Sequence, residues 1–364
     1  MQAVNGSSQK PSAFKRLNQQ VQTFLAPRIL RLPPSLLVRL SRQAAVQRDG
    51  DTLNAEMQFM LRSRELTGKP MRLWYGEVQR SRREMVKASS QFNAHVYPEL
   101  KTRDVVLNTD SVALPARLYT PEGLSAEAPL LIFYHGGGFA LGDLDTHDAP
   151  CRLLAVEGQV NVLSIDYRLA PEHPFPTPVD DALAAYRAVR RQPEALGLRP
   201  RRIAVGGDSA GGNLSAVVSQ IIRGEDCAPP DLQLLIYPAV DRSQPYPSQE
   251  LFGEGFFLRA DDGLVFNGLY TGDDESAYLD PRVSPSLAAD LGGLCPAVVV
   301  TAGFDILRDE GEAYGHKLRA AGNDVSLTRE PGLLHGFINM IGVSPSSRAA
   351  TSRIAAQLRA RVHG

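Results

Sequence analysis

The chain has 364 residues, a formal net charge of −1, 43% hydrophobic residues and 22% charged residues. These values are ordinary for a globular protein and exclude a disordered or fibrous chain. Charged residues or prolines interrupt every apolar run well short of ~18 residues, so no membrane-spanning helix is predicted. Cys151, Cys227 and Cys295 are too far apart for a C-x-x-C metal or redox pair. We interpret them as reduced thiols.

Residues 1–100 are predicted to be helical and to form an N-terminal cap region. Segment 14–48 alternates apolar and basic residues at helical spacing, with breaks at Pro27 and at Pro33-Pro34. Residues 1–100 carry a net charge of +9 and the remainder −10. This split favours a basic layer that docks on an acidic body. The alternative is a weak membrane-surface contact through segment 14–48. No nucleic-acid partner is predicted, and the lack of a secretory signal pattern predicts a cytoplasmic protein.

Residues 101–364 are predicted to form one α/β catalytic domain. Residues 104–108 and 115–120 predict an antiparallel hairpin. Near-continuous Val/Ile/Leu runs then alternate with helical patterns, which is typical of a mostly parallel sheet flanked by helices. The strand-like runs are 129–135, 160–166, 201–207, 232–238, 296–303 and 325–331. The helical patterns are 146–158, 178–192, 210–223, 309–321 and 346–361. The long gap before the fifth run predicts an insertion near 245–280 that contributes to the cap.

The strongest chemical signal is the segment GDSAG at 207–211, which lies between a predicted strand and a predicted helix. A serine on such a sharp turn needs glycine two positions to either side, because larger groups would collide. The turn would expose the Ser209 hydroxyl at the carboxyl edge of the sheet. It would also place that hydroxyl at a helix N-terminus, where a developing anion is stabilised. Ser209 is therefore the candidate nucleophile.

A second signal is the segment HGGGF at 135–139, at the end of a buried strand. Three consecutive glycines are costly in chain entropy and useful where backbone N–H groups must approach a ligand closely. An oxyanion hole is such a place. We interpret His135 as a residue that shapes this loop without transferring protons. Asp166, which ends the next strand, is expected to pair with neighbouring polar groups.

The candidate base and acid follow from chain order. In enzymes whose nucleophilic serine lies on such a strand-to-helix turn, the acid and then the histidine come after the serine in the sequence. His335 follows the last predicted strand, and Asp305 ends the strand before it. Asp309 and Glu310 are rivals for the acid, but they fall where a helix begins and are expected to cap it. The aromatic residues of the predicted cap either line an acyl pocket or pack between helices, and packing is preferred. They are Trp74, Tyr75, Phe256 and Phe257.

Taken together, the motifs resemble those of the bacterial hormone-sensitive-lipase-like esterases (family IV, GDSAG subfamily) of the α/β-hydrolase superfamily. The resemblance spans residues 103–340 and departs from the family at Ile306, where proline is usual. It implies an α/β-hydrolase fold with a helical cap, a triad of Ser209, Asp305 and His335, and an oxyanion hole. The segments that carry it are HGGGF, YRLAPEHPFP, GDSAGG, YLDPRVSP, FDILRDEG and HGF. The oxyanion-hole donors implied are the N–H groups of Gly137, Gly138 and Ala210.

The resemblance implies a carboxylic ester hydrolase that acts on short- to medium-chain acyl esters through an acyl-enzyme on Ser209. Its partner would be a small-molecule ester, with no metal and no organic cofactor, and a homodimer is kept as an alternative. A non-catalytic small-molecule receptor on the same fold is a second hypothesis. Because receptors of that kind lose the triad histidine, the presence of His335 argues against it.

Overall fold

The structure is a computed structural model that describes residues 28–68, 70–93, 96–272 and 274–364. In this part, eight strands form one sheet. They are β3 Thr102–Asn108, β4 Ala113–Tyr119, β5 Leu130–Tyr134, β6 Asn161–Ile165, β7 Ile203–Asp208, β8 Leu232–Ile236, β9 Ala297–Phe304 and β10 Val325–Leu334. Their order in the sheet is β10-β9-β8-β7-β5-β6-β4-β3. The pairs β3/β4 and β4/β6 are antiparallel and the other pairs are parallel. The mostly parallel α/β sheet expected from the sequence is confirmed.

Helices cover both faces of the sheet and bury two large apolar clusters against it. Every residue of β5, β6, β7, β8 and β9 is buried, as expected for strands covered on both sides. The helices of the body are α4 Asp148–Gly158, α5 Thr177–Arg191, α6 Ala210–Ile222, α9 Arg308–Ala320 and α10 Pro345–His363. No helix in the described ranges combines the length and apolarity that crossing a membrane requires.

The part of residues 1–100 that is described contains three helices, a short helical stretch at 28–29 and a small hairpin. The helices are α1 Pro34–Leu40, α2 Ala55–Leu66 and α3 Val78–Phe92, and the hairpin pairs β1 Gln47–Arg48 with β2 Asp51–Thr52. The expectation of helix up to residue 48 is wrong for the stretch after α1. Pro33 and Pro34 begin α1, at its N-cap and first position, where proline is tolerated. Residues 14–27 of the basic segment lie outside the described residues.

The insertion after β8 contains two helices, α7 Pro247–Phe252 and α8 Ala260–Thr271. It lies in the region 245–280 that the sequence assigns to an insertion. Phe266 of α8 packs edge-to-face on Trp74, with ring centroids 6.1 Å apart, so the insertion contacts the N-terminal region. The boundary between a cap region 1–100 and a catalytic domain 101–364 stays a prediction.

Candidate active site

Ser209 lies on the sharp turn between β7 and α6. Its backbone has φ 55° and ψ −117°, a left-handed conformation that is strained for a residue with a side chain. Gly207 and Gly211 make this turn possible. A Cβ on either glycine would overlap the backbone carbonyl oxygen of Tyr134 on the neighbouring strand β5. The sequence requirement for glycine at both positions is therefore a requirement for close backbone approach.

The structure brings together the three side chains predicted as nucleophile, base and acid. Nε2 of His335 lies 3.1 Å from Oγ of Ser209, and Nδ1 of His335 lies 2.7 Å from Oδ2 of Asp305. Strands β7, β9 and β10 run parallel, so their carboxyl ends deliver all three residues to one edge of the sheet. All three are buried, and Ser209 is the most accessible at 8% exposure. Such a chain of contacts can carry a proton from the hydroxyl to the imidazole.

Asp305 is held in place by a second interaction. Its Oδ1 accepts a hydrogen bond of 3.0 Å from the backbone N–H of Leu307, which leaves Oδ2 for His335. Ile306, the departure from the family pattern, is buried, and its carbonyl accepts a hydrogen bond of 2.8 Å from Oγ of Ser248. The loop that carries the acid is thus anchored on α7 although it lacks the proline.

The glycine loop after β5 reaches the same place. Gly137 and Gly138 have φ 122° and 61°, conformations that residues with a side chain rarely adopt. Gly137 faces one cavity beside Ser209, whereas Gly138 and Ala210 face another. The three residues that the resemblance assigns to an oxyanion hole therefore line the two cavities that Ser209 also lines.

His135 is buried at the start of this loop and contacts it. It is completely buried, its Nδ1 lies 2.8 Å from the carbonyl oxygen of Gly136, and its ring stacks on Tyr167 at 4.4 Å. Burial, together with the nearby His147, lowers the pKa of His135 to about 4, so its imidazole is neutral at physiological pH. Since the carbonyl can only accept, Nδ1 carries the proton. These contacts fit the structural role expected for His135.

A buried network behind the serine was not found from the sequence. Asp208 accepts a hydrogen bond of 2.8 Å from the Gly136 N–H and lies 3.3 Å from Nε2 of His147. Burial would raise the pKa of the Asp208 carboxyl, but His147, the Gly136 N–H and His335 outweigh burial and hold that pKa below its usual range. Through Asp208, the network connects the turn that carries Ser209 with the glycine loop at Gly136. Its only sequence signal was the acid inside GDSAG, because His147 belongs to no motif.

Two cavities meet at Ser209 and His335. The cap cleft, of about 820 Å³, is walled by residues of the N-terminal region, and Phe257 comes from the insertion. The second cavity, of about 390 Å³, is called the arginine pocket because Arg242 lines it. It lies between the insertion and the loop after β9 that carries Asp305. The N-terminal side chains in the cap cleft are Arg64, Met71, Arg72, Leu73, Tyr75, Glu84, Met85, Ala88, Ser89 and Phe92.

Of the four aromatic residues considered for the acyl pocket, two line the cap cleft and two pack on other aromatic rings. Tyr75 and Phe257 line the cap cleft. Trp74 packs on Phe266, while Phe256 packs on Phe252 and Phe304, with ring centroids 5.7 and 5.2 Å away. The preference for packing is therefore wrong for Tyr75, whereas Phe257 lines the cleft and also packs against the apolar core.

The rival acids have other partners than expected. Asp309 lies in the first turn of α9, where a negative charge is favoured, yet α9 has no side-chain cap. Instead Oδ2 of Asp309 accepts from the Ser248 N–H at 2.8 Å, and Oδ1 accepts from Nε of Arg308 at 2.7 Å. Glu310 is buried and accepts from the N–H groups of Val240 and Asp241. The capping role is thus wrong for both acids, because their carboxyl groups accept hydrogen bonds from neighbouring segments and not from the backbone N–H groups of the helix.

Asp166 also differs from expectation. In the described part of the chain its carboxylate has no hydrogen-bond or ion-pair partner. Burial and the nearby Asp143 and Asp145 raise its pKa to about 6, against the opposing effect of Arg117. The predicted pairing of Asp166 is wrong, because its charged neighbours are mainly other acids.

The described ranges contain no group of three or more His, Cys, Asp and Glu side chains arranged to hold a metal ion.

The family model for the α/β-hydrolase fold matches residues 131–339, more than half of the chain. The chain belongs to the hormone-sensitive-lipase-like (family IV) esterases of the α/β-hydrolase superfamily. It is 44% identical over 328 residues to the carboxylic ester hydrolase LipN of Mycobacterium tuberculosis, covering 89% of this chain and 87% of that protein. It is 37% identical over 277 residues to an ethyl acetate hydrolase of Pseudomonas putida, covering 75% and 87%.

Solved structures of esterases have the same fold. The ester-hydrolase EH1AB1 from the metagenome of Lake Arreo, in complex with a bipyridine phosphonate derivative, superposes with a TM-score of 0.81 at 39% identity. That match covers 86% of this chain and all of the other. A thermostable esterase from Pseudomonas putida has a TM-score of 0.81 at 30% identity, over 87% and 99% of the two chains. The family IV fold expected from the motifs is confirmed.

Proposed function

We propose that this family IV protein is a carboxylesterase that hydrolyses short- to medium-chain acyl esters through an acyl-enzyme on Ser209. The observation that carries the proposal is the position of His335, 3.1 Å from the Ser209 hydroxyl and 2.7 Å from Asp305. Family membership supports it, since its relatives include a carboxylic ester hydrolase and an ethyl acetate hydrolase.

In the first half of the reaction, His335 takes the Ser209 proton while Oγ attacks the ester carbonyl carbon. The N–H groups of Gly137, Gly138 and Ala210 donate to the oxyanion that forms. Asp305 accepts from Nδ1 of His335, which leaves Nε2 free to take the proton, and it stabilises the imidazolium. The imidazolium then protonates the alcohol, which leaves.

In the second half, His335 removes a proton from water, and the resulting hydroxide attacks the acyl carbon. The same N–H groups hold the second oxyanion. When this intermediate collapses, the carboxylic acid is released and the proton returns to Ser209. No atom is required beyond those of the ester, water and the side chains already named.

Two segments serve as the cap in this proposal: residues 1–100 and the insertion near 245–280. Arg64 to Phe92 of the first and Phe257 of the second line the cap cleft above Ser209. Pockets lined mainly by apolar side chains select ligands by shape and length. The apolar part of the cleft wall, which includes Met71, Met85 and Phe92, suits the acyl chain of an ester.

The decisive test is ester hydrolysis by the Ser209→Ala variant, measured with p-nitrophenyl butanoate. We expect a loss on the order of 10³-fold or more with an unchanged melting temperature. Ser125→Ala, which changes an exposed serine in the loop between β4 and β5, is the matched control and should keep its activity. Ligand binding without turnover by the folded wild-type protein would instead favour the non-catalytic receptor.

Membrane contact, self-association and location are further parts of the proposal. Leu36 and Leu40 of α1 are 38% and 45% exposed beside Arg39, which supports a weak contact of segment 14–48 with anionic membranes. Co-sedimentation with anionic and with neutral liposomes tests this contact.

A homodimer is tested by sedimentation velocity. The free thiols of Cys151, Cys227 and Cys295 support a cytoplasmic location.

A further inference from the structure

Arg242 is the one permanently charged side chain that lines the arginine pocket. The other walls of that pocket are glycine, alanine, leucine, isoleucine and phenylalanine residues, together with Ser209 and His335. Within the described part of the chain, the Arg242 guanidinium donates no hydrogen bond and forms no ion pair, and its Nε is buried without a partner. Leaving a buried guanidinium N–H without an acceptor is costly, so a ligand that brings an acceptor oxygen to Arg242 would be favoured.

The acids closest to Arg242 are already engaged. The preceding residue, Asp241, accepts hydrogen bonds from Ser243, Gln244, Tyr246 and Ser286. Glu310 accepts from the N–H groups of Val240 and Asp241. Burial raises the pKa of Glu310 to about 8, although the N–H donors and Arg242 oppose this, so Glu310 is mostly uncharged at pH 7. Neither acid neutralises the guanidinium.

The arginine is also held in position. Its backbone N–H donates to Oγ of Ser284 at 2.9 Å, and its guanidinium carbon lies 5.8 Å from the centre of the Phe139 ring. Phe139 ends the HGGGF segment and stacks on Tyr270 with ring centroids 3.7 Å apart. The Arg242 guanidinium therefore lies beside the loop that carries Gly137 and Gly138, in the cavity that Ser209 also lines.

We propose that Arg242 binds a carboxylate carried by the substrate, so that the enzyme acts on esters with an anionic group a few bonds from the scissile carbonyl. The inference rests on the proposed esterase function and names the substrate class of the same site. A guanidinium donates two parallel hydrogen bonds to a carboxylate, the pairing that its planar fork favours. The charge belongs either to the acid part or to the alcohol part of the ester.

Two matched substrate pairs distinguish these sources. In the first pair the charge is in the acid part: monomethyl succinate against methyl 4-methylpentanoate, in which an isopropyl group replaces the carboxylate. In the second it is in the alcohol part: acetoxyacetate against isobutyl acetate. For each pair the quantity measured, by pH-stat at pH 7.5, is kcat/KM of the anionic ester divided by kcat/KM of the neutral ester.

For the wild-type enzyme we expect this ratio to be about 1 or higher in one pair, since a paired charge offsets its own desolvation. Arg242→Met should lower that ratio about 10- to 100-fold, the size of a lost charge-assisted hydrogen bond. Arg242→Lys should retain part of the ratio, because it keeps the charge but not the fork. Arg199→Met, which removes an exposed arginine whose backbone alone is hydrogen-bonded, should leave the ratio unchanged.

Two results would overturn the proposal. One is a wild-type ratio below about 0.1 in both pairs, which would mean that the pocket repels the charge. This measurement needs no variant, so it decides the matter even if Arg242→Met fails to fold. The other is an equal loss on anionic and neutral esters in Arg242→Met, which would assign Arg242 to the oxyanion or to packing. If the wild type hydrolyses none of the four esters, it is the esterase proposal that fails.

Discussion

Gly207 and Gly211 face each other across the turn that carries Ser209. A Cβ on Gly207 would lie 2.5 Å from the carbonyl carbon of Gly211, and a Cβ on Gly211 would overlap the backbone of Tyr134. Helix α6, strand β7 and strand β5 therefore meet at a distance that leaves no room for a methyl group. The strained backbone of Ser209 is held by this close packing.

We predict that Gly211→Ala destabilises the protein by several kcal/mol, on the order of overpacking or strain at a special backbone position. Esterase activity should fall with the folded fraction, because α6 must shift away from β5. Gly224→Ala is the matched control, since a Cβ there would lie 3.6 Å from its nearest neighbour. Urea denaturation of both variants measures the difference. Equal stability of the two would show that the turn adapts to a side chain.

The second prediction separates the two acids of the loop after β9. Asp305→Asn should lower kcat by about 10⁴-fold, because an amide no longer holds the His335 tautomer. Asp309→Asn should keep its kcat and lose about 1–2 kcal/mol of stability, since Asp309 bonds to Ser248 and Arg308. Steady-state kinetics and thermal unfolding give the two readouts. The reverse pattern would make Asp309 the catalytic acid.

The third prediction uses two adjacent phenylalanines of the insertion. Phe257 lines the cap cleft, whereas Phe256 packs on Phe252 and Phe304. Phe257→Ala should widen the cleft and shift the preferred p-nitrophenyl ester to a longer acyl chain. Phe256→Ala should keep the chain-length profile and lose about 2 kcal/mol of stability, less than a fully buried phenylalanine. An identical profile in all three proteins would remove Phe257 from the substrate-binding wall.

The fourth prediction concerns the pH dependence of stability. Burial raises the pKa of Glu310 from its ordinary value of 4.5 to about 8. A raised pKa means that the folded state favours the protonated form, so the stabilisation is complete below pH 4.5 and is lost as the pH rises through 8. Glu310→Gln stays neutral and keeps an acceptor oxygen. Its melting temperature relative to wild type should therefore rise from pH 5 to pH 9. A relative melting temperature that falls with pH would show that Arg242 and the N–H donors stabilise the carboxylate.

Most of the sheet could be predicted because parallel strands covered on both faces must be apolar throughout. The runs that became β5 to β9 had no competing periodicity, and every residue of those five strands is buried. Chain order then pointed to Asp305 and His335, since parallel strands end at one edge. The roles assigned to Ser209, Asp305 and His335 stay predictions until the variants are measured.

The rest depended on contacts that no local pattern encodes. The hairpin β1/β2 and the early end of α1 lie in a stretch whose composition also suits a helix. Asp208 meets His147 only because the fold brings the glycine loop and α4 beside the nucleophile turn. Asp309 and Glu310 lie in the first turn of α9, where an acidic side chain usually accepts from the helix N–H groups. Instead, they accept hydrogen bonds from the N–H groups of Ser248 and Val240, which are distant in the sequence.

The most direct test of the account is covalent labelling of the wild-type enzyme with a fluorophosphonate, read out by peptide mass spectrometry. An activated Ser209 attacks phosphorus as it would an ester carbonyl and keeps the phosphonyl group. We predict one adduct per chain, on the peptide that contains Ser209, with loss of esterase activity in step with labelling. In His335→Ala the labelling should slow by orders of magnitude, because the hydroxyl loses its base. An adduct on another residue, or esterase activity that survives complete labelling of Ser209, would contradict the account.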